Sequence, residues 1–204
     1  MTASELVKRI ISCKELVNGN AMKTGKLSDG ELTRVLDFGA KYSNSKVYID
    51  ETPALDIDTF QDRARQLKKK KNVGLIIIDY LQYMRSMKKT INSREQEIAD
   101  ISRGLKAISK ELQIPVISLA QLNRNLDARA DKRPVLSDLR ESGGIEQDAD
   151  TIMFLYRDDY YHPNETPNNV AEVIVAKQRS GPTGVVKLHW EGQYTKFDNL
   201  DKYF

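Results

Sequence analysis

Residues 73–79 read Val73-Gly74-Leu75-Ile76-Ile77-Ile78-Asp79, an apolar run that ends on an acid. A run without alternation predicts a strand buried on both faces, as in a parallel sheet. An acid at the carboxyl end of such a strand sits where open α/β sheets bind ligands. In nucleotide hydrolases an Asp placed there holds Mg²⁺, often through water. The plain alternative is an ordinary strand-end carboxylate.

Downstream, Ser93-x-x-Gln96 opens an amphipathic helix on which Ile98, Ile101, Leu105, Ile108 and Leu112 step by three and four. Pro115 then leads into Val116 to Ala120, a second candidate buried strand, and Gln121 follows it. Upstream, Thr2-x-x-Glu5 and Ser28-x-x-Glu31 are capping boxes, in which each side chain satisfies a free backbone donor. They predict a helix over 3–17, stopped by Asn18-Gly19, and a second with Leu32, Val35, Leu36 and Gly39 on it. Val47-Tyr48-Ile49-Asp50 predicts a short strand. Ile57, Phe60, Ala64 and Leu67 mark a third helix, with Lys68 to Lys71 at its C-terminal end, where the helix dipole favours cations.

Gln121 to Arg133 has no apolar period and predicts a long loop. Ser137 or Asp138 could cap a short helix that ends at Gly143-Gly144. The last third predicts strands at Thr151 to Tyr156, Val170 to Ala176 and Val185 to Trp190, and a short one at Tyr194 to Phe197. Early alternation and late clustering of strands predict an α/β fold: a mostly parallel sheet with flanking helices and C-terminal antiparallel strands.

The length of 204 residues suits one domain and a sizeable core. Eleven Gly and six Pro are too few for a low-complexity chain. The apolar run Leu75 to Ile78 is far shorter than the ~20 residues of a membrane span. No basic segment precedes an apolar one at the N-terminus, so no secretory signal is expected. Cys13 is the single cysteine, which excludes an internal disulfide and fits a reducing, cytoplasmic setting. The net charge of +3 demands no nucleic acid. The basic residues cluster at Arg63 to Lys71 and Arg85 to Arg94, which reads as solvated surface or as a phosphate-facing patch.

Lys177 and Arg179 lie two apart, where strand geometry puts both on one face and could make a phosphate clamp. They could equally be protective charges on an edge strand. Arg140-Glu141-Ser142-Gly143-Gly144 is a basic, glycine-rich turn that could cradle phosphate, or simply a helix end. Gln121 could report on a γ-phosphate or cap a loop. His162 and His189 lack any partner spacing for a metal. No G-x-x-x-x-G-K-[ST] occurs: Gly25-Lys26 has Gly19 one residue too far upstream and Leu27 in place of Ser or Thr.

Seven stretches occur in one order along the chain. They are Ile77-Ile78-Asp79-Tyr80-Leu81-Gln82, Ser118 to Arg124, Asp131-Lys132-Arg133-Pro134, Ser137 to Gly143, Ile145 to Asp150, Tyr156 to Tyr161, and Ala176-Lys177-Gln178-Arg179. Together they resemble the RecA-like motor domain of replicative DNA helicases of the DnaB type. The resemblance runs from Met1 to Phe204. It implies that Asp79 is the Walker B aspartate, holding Mg²⁺ through water, and that Gln121 is the sensor after the next strand. It implies that Lys177 and Arg179 reach the nucleotide of a neighbouring subunit, with Arg179 as the arginine finger, and that Tyr194 contacts the nucleotide base. Arg140, Glu141 and Gly143 match the loop that holds the backbone of single-stranded DNA, and Arg124 in the basic loop is placed with them. ATP and Mg²⁺ are the implied cofactors. Single-stranded DNA, a homo-hexameric ring, a primase and a helicase loader are the implied partners, with no membrane and a cytoplasmic, nucleoid-associated setting.

The resemblance also implies departures. Residues 1–204 match one partial C-terminal motor domain. The collar domain, linker helix, Walker A segment with its P-loop strand, and the catalytic glutamate have no counterpart in these residues. An isolated chain of this sequence is therefore expected to be inactive as an ATPase. Its sheet would carry unpaired edges, which predicts low stability or aggregation. The alternatives are a non-enzymatic subunit that supplies Arg179 to an intact ring, a single-stranded DNA-binding module, and a recombinase-like or circadian-type ATPase. The Asp-Lys-Arg-Pro stretch argues against the last.

Overall fold

A computed structural model describes residues 2–88, 90–163 and 168–202; of residues 124, 125, 140–143 and 202 it describes the backbone only. The helices are α1 (Ala3–Glu15), α2 (Gly19–Thr24), α3 (Asp29–Tyr42), α4 (Ile57–Lys71), α5 (Arg94–Leu112), α6 (Gly143–Asp148) and α7 (Asp158–Tyr161). The strands are β1 (Ile76–Ile78), β2 (Val116–Ser118), β3 (Thr151–Tyr156), β4 (Val170–Gln178), β5 (Gly184–Glu191) and β6 (Lys196–Asn199). The chain divides into two compact units. One holds Met1–Glu51, Arg157–Val173 and Val186–Phe204, the other Thr52–Tyr156 and Ile174–Val185.

In the first unit both predicted capping boxes form. Helix α1 stops at Leu16 in the left-handed conformation, two residues short of expectation. Asn18 then does more than end it. Its side chain accepts from the N–H groups of Asn20 and Ala21 at 2.9 and 3.2 Å and starts α2, a helix the apolar spacing did not announce. The Ser12 hydroxyl donates to the Val17 carbonyl at 2.7 Å, which holds the α1–α2 corner over a fully buried Val17. Phe38 and Tyr42 stack at 4.3 Å on α3. The predicted strand at Val47 to Asp50 does not form: these residues are exposed and adopt no strand conformation. Their β propensity lacks a ladder to join.

The second unit is built on α4, α5 and the parallel pair β1–β2, in register Ile76↔Val116, Ile77↔Ile117 and Ile78↔Ser118. Ile57, Leu81, Met84, Ile98, Ile101 and Leu105 form its core, with Ile78 and Val116 packed against them. Full burial of each such side chain contributes about 1.5–3 kcal/mol. Asp56 caps α4, and all four lysines of the basic block lie in its last turn, as expected.

The strands correct one expectation. Neither β1 nor β2 is buried on both faces. Burial alternates along each, and Ile77 is 62% exposed, with its register partner Ile117 and the flanking Leu75 and Leu119 also exposed. The helices cover one face only, and among the described residues β1 and β2 pair with each other alone.

A second cluster joins Leu139, Ile152 and Phe154, with Ala120, Leu122, Ile174 and Ala176 against it. The late strands form a sheet in the order β3-β4-β5-β6, in which β5 and β6 are antiparallel. Strand β4 runs two residues past its predicted end, and β6 begins two residues later than predicted, leaving Tyr194 in a 3-10 turn at Gly192–Tyr194.

Candidate functional site

Asp79 and Gln121 follow β1 and β2 at their carboxyl ends, and both are exposed. The alternation that exposes Leu75 and Ile77 carries on to Asp79; that of Ile117 and Leu119 carries on to Gln121. The open face is thus apolar along the strands and polar at its carboxyl edge. The two side chains are not at one level. The Leu119 N–H donates to the Ile78 carbonyl at 2.9 Å, and the Leu119 carbonyl accepts from Leu81 at 2.8 Å. Leu119 therefore faces Asp79 and Tyr80, and Gln121 stands one alternation further on. The Asp79–Tyr80 peptide is cis.

Gln82, which the sequence reading left without a role, joins the two positions. It lies in the 3-10 turn Leu81–Tyr83 that follows Asp79. Its side-chain amide donates to the Gln121 carbonyl at 3.0 Å, and its side-chain oxygen accepts the Gln121 N–H at 3.2 Å. Both backbone groups of Gln121 are thereby held. The Gln82 carbonyl in turn accepts from Arg94 at 2.5 Å, at the start of α5. An amide two residues past Tyr80 was the available signal, but only the pairing of the strands shows what it meets.

Carboxylates on α5 anchor the segment after this turn. Asp100 is buried and accepts from the Ser86 hydroxyl at 2.8 Å and from Lys88 at 2.6 Å. Burial alone would raise its pKa. The hydrogen bonds from Lys88 and Ser86 outweigh that and hold the carboxyl below its ordinary value. Glu97 accepts the Ser86 N–H at 3.0 Å and pairs with Arg94. Arg85, Lys88 and Arg94 of the second basic cluster are thus ion-paired with carboxylates of α5.

Lys177 and Arg179 gather at the far end of α6. The Lys177 ammonium donates to the carbonyls of Glu146 and Ala149, the latter at 2.8 Å, where the helix dipole favours a cation. Arg179 lies one residue beyond β4. Its N–H donates to the Asp150 carbonyl at 2.8 Å, its guanidinium stands 3.4 Å from the Asp150 carboxylate, and its side chain is 57% exposed. Lys106 bonds the same carboxylate and is the main cause of its lowered pKa. Lys177 is thus engaged with backbone, and Arg179 is the more available cation of the two. Ala120 and Leu122, which flank Gln121, pack in the same cluster as Ala176, which precedes Lys177.

The stretch expected to be a structureless loop is folded. It holds a 3-10 turn at Arg124–Ala128 with Leu126 buried. The expected helix ending at Gly143-Gly144 is instead a 3-10 segment, Leu136–Ser142, and α6 begins at Gly143. The side chains of Arg124, Arg140 and Glu141, and Gly143 with them, lie outside the described ones. Gly144 explains why a glycine stands there: a Cβ on it would come within 2.7 Å of the Ala99 Cβ and 2.8 Å of its Cα. The close crossing of α5 and α6 leaves no room for a side chain. Tyr194 belongs to the first unit and is half-buried.

Among the described residues no three acidic, His or Cys side chains converge as a metal site. Mg²⁺ does not require them. It keeps several waters and is held by one or two carboxylates together with substrate phosphates, so the lone exposed Asp79 fits that ion. No helix in the described residues is long and apolar enough to cross a membrane.

Comparison with known proteins agrees with this arrangement. The family model described as DnaB-like helicase C terminal domain matches residues 1–199. The replicative DNA helicase DnaB of Geobacillus stearothermophilus is 43% identical over 204 residues, which is 100% of this chain and 45% of that protein. The replicative DNA helicase DnaC of Bacillus subtilis (strain 168) is 44% identical, with the same coverage. A solved DnaB-like replicative helicase, described with its interactions with primase, superposes with a TM-score of 0.91 at 40% identity, covering 98% of this chain and 48% of that one. A second solved structure, described as an ATPase domain, gives 0.90 at 40% identity, covering 98% and 72%. The chain spans about half the length of the curated relatives it matches.

Proposed function

The chain belongs to the family of DnaB-like helicase C-terminal domains, and from that membership we propose that it works as part of an ATP-driven replicative DNA helicase. Its fold is that of RecA-like helicase ATPase domains. The observation that carries the proposal is the polar carboxyl edge of β1 and β2. There Asp79 and Gln121 are exposed together and the Gln82 amide holds the Gln121 backbone. Ligands of open α/β sheets bind at such an edge.

In this role Asp79 holds Mg²⁺ through water, and the ion neutralises charge on the nucleotide phosphates. Gln121 senses the γ-phosphate. Arg179, with Lys177, reaches the nucleotide of the neighbouring subunit in a homo-hexameric ring, and Tyr194 lies against the base. A finger supplied by a neighbour makes hydrolysis depend on assembly. Arg140, Glu141, Gly143 and Arg124 hold the backbone of one DNA strand, along which the ring moves 5′-to-3′. A primase and a loader are its partners, and the setting is the cytoplasm, at the nucleoid. The 204 residues act as one motor segment with no G-x-x-x-x-G-K-[ST] of their own.

The test is fluorescence anisotropy of a labelled oligothymidylate with the 204-residue protein over a range of salt. Contacts to phosphate give binding that ignores sequence and weakens with salt. Arg140→Ala should weaken it and reduce the salt slope by about 0.7. Binding unchanged by Arg140→Ala would remove the DNA assignment.

A further inference from the structure

Residues 123–138 carry few apolar side chains, yet they are folded. Besides the buried Leu126 and local turn hydrogen bonds, one ion pair ties distant points of the segment together. The Arg129 Nη1 lies 3.0 and 3.2 Å from the two oxygens of Asp138, which is only 7% exposed. The Arg129 Nε donates to the Asp131 carbonyl at 2.9 Å, and Nη2 donates to the Arg133 carbonyl. The same carboxylate accepts the Val135 N–H at 2.8 Å, and the Asp138 carbonyl accepts the Asn123 N–H at 3.0 Å. A single guanidinium therefore holds three points of the loop, and the backbone carbonyl of its partner Asp138 ties the loop to its own start.

Asp138 stands two residues before Arg140, in the same 3-10 segment. The clamp therefore fixes where the turn at Arg140 to Gly143 leaves the loop. We infer that Arg129 and Asp138 are positioning residues for the single-stranded DNA contact made by that turn. The inference rests on the DNA assignment proposed above. Arg129 does not itself face phosphate: its charge is matched by Asp138 and its donors point at loop carbonyls. A lysine could keep the charge but not the fork that reaches three acceptors. Removing Arg129 leaves the buried Asp138 carboxylate without its counter-charge, and the loop must open to rehydrate it; removing the carboxylate frees the partly exposed guanidinium from its anchor.

The test is a double-mutant cycle on the 204-residue protein, read by anisotropy of the same oligothymidylate. Arg129→Ala and Asp138→Asn are each expected to weaken binding about tenfold, as Arg140→Ala does. Because Arg129 acts through the turn, Arg129→Ala combined with Arg140→Ala should bind within about twofold of Arg140→Ala alone. Its salt slope should not fall further. Arg129→Lys should also weaken binding, and it carries the test if the alanine variant fails to fold by circular dichroism. Unchanged binding in Arg129→Ala and Arg129→Lys, or an effect that simply adds to that of Arg140→Ala, would overturn the inference and leave the DNA assignment standing. No binding by the unsubstituted chain, or none lost on Arg140→Ala, would overturn both.

Discussion

Two glycines and one glutamine set geometry that no catalytic motif records. Gly104 lies where a Cβ would strike the Ile57 side chain, 2.9 Å from its Cδ1, so α4 crosses α5 with Ile57 seated on the glycine. Alanine is the better helix former by roughly 1 kcal/mol. Gly104→Ala should nevertheless lower the thermal midpoint, since Ile57 belongs to the buried core. Adding Ile57→Ala should remove the clash, so the pair should be less destabilised than the two single losses summed. A strictly additive pair in thermal melts would refute the crossing. Gly144→Ala meets backbone rather than a flexible side chain and should cost about 1–3 kcal/mol with no such rescue. Gln82→Ala frees both backbone groups of Gln121, and hydrogen exchange at the Gln121 amide should speed up markedly. Gln82→Glu keeps the acceptor and should retain part of the protection.

Among the elements, α5 does most to organise the second unit. One side of it supplies Ile98, Ile101 and Leu105 to the core; another presents Glu97 and Asp100 to the segment after β1. The Asp100 carboxyl is held below its ordinary value by Lys88 and Ser86 against the opposing effect of burial. A carboxyl whose folded pKa is depressed stabilises the fold above its unfolded pKa of about 3.9. That contribution is lost as pH falls from there through the lower folded value. Asp100→Asn should therefore cost about 1–3 kcal/mol near neutrality and flatten the dependence of stability on pH below about 4. Urea melts from pH 3 to 7 would check it; equal slopes in both proteins would count against the assignment. The capping boxes, the α5 period and the lysine-rich end of α4 were legible in the sequence because each depends on neighbours within one turn. The α2 start at Asn18 was misread as a stop alone. The Val47 to Asp50 segment was misread as a strand because local propensity says nothing about a partner.

For the whole molecule, the exposed apolar face of β1 and β2 is the main feature. Ile77, Ile117, Leu75 and Leu119 lie open beside strands that, among the described residues, pair only with each other. Open apolar strands of this kind promote association. The 204-residue protein should scatter light increasingly with concentration, and Ile77→Lys should reduce that while leaving the melting midpoint nearly unchanged, since Ile77 is already exposed. A monodisperse monomer at high concentration would count against the prediction. The same chain should show no saturable binding of a fluorescent ATP analogue with Mg²⁺ up to millimolar concentration. Saturable micromolar binding lost on Asp79→Ala would reveal a phosphate cradle outside the familiar glycine-rich motif.

By itself the sequence determined the α/β class, most helix ends, the strand-end places of Asp79 and Gln121, and the family. All of these follow from local capping, short-range periodicity and ordered motifs, which require no knowledge of what lies across the core. Tertiary structure alone decided which face of β1 is covered, that Gln82 holds Gln121, that Lys177 serves the end of α6, and that Arg129 and Asp138 fold a loop with few apolar residues. Each of these is a contact between residues at least nine positions apart, and the residue types alone are compatible with many such pairings. The free energy of burial and of satisfying buried polar groups selects among them only once the chain is folded.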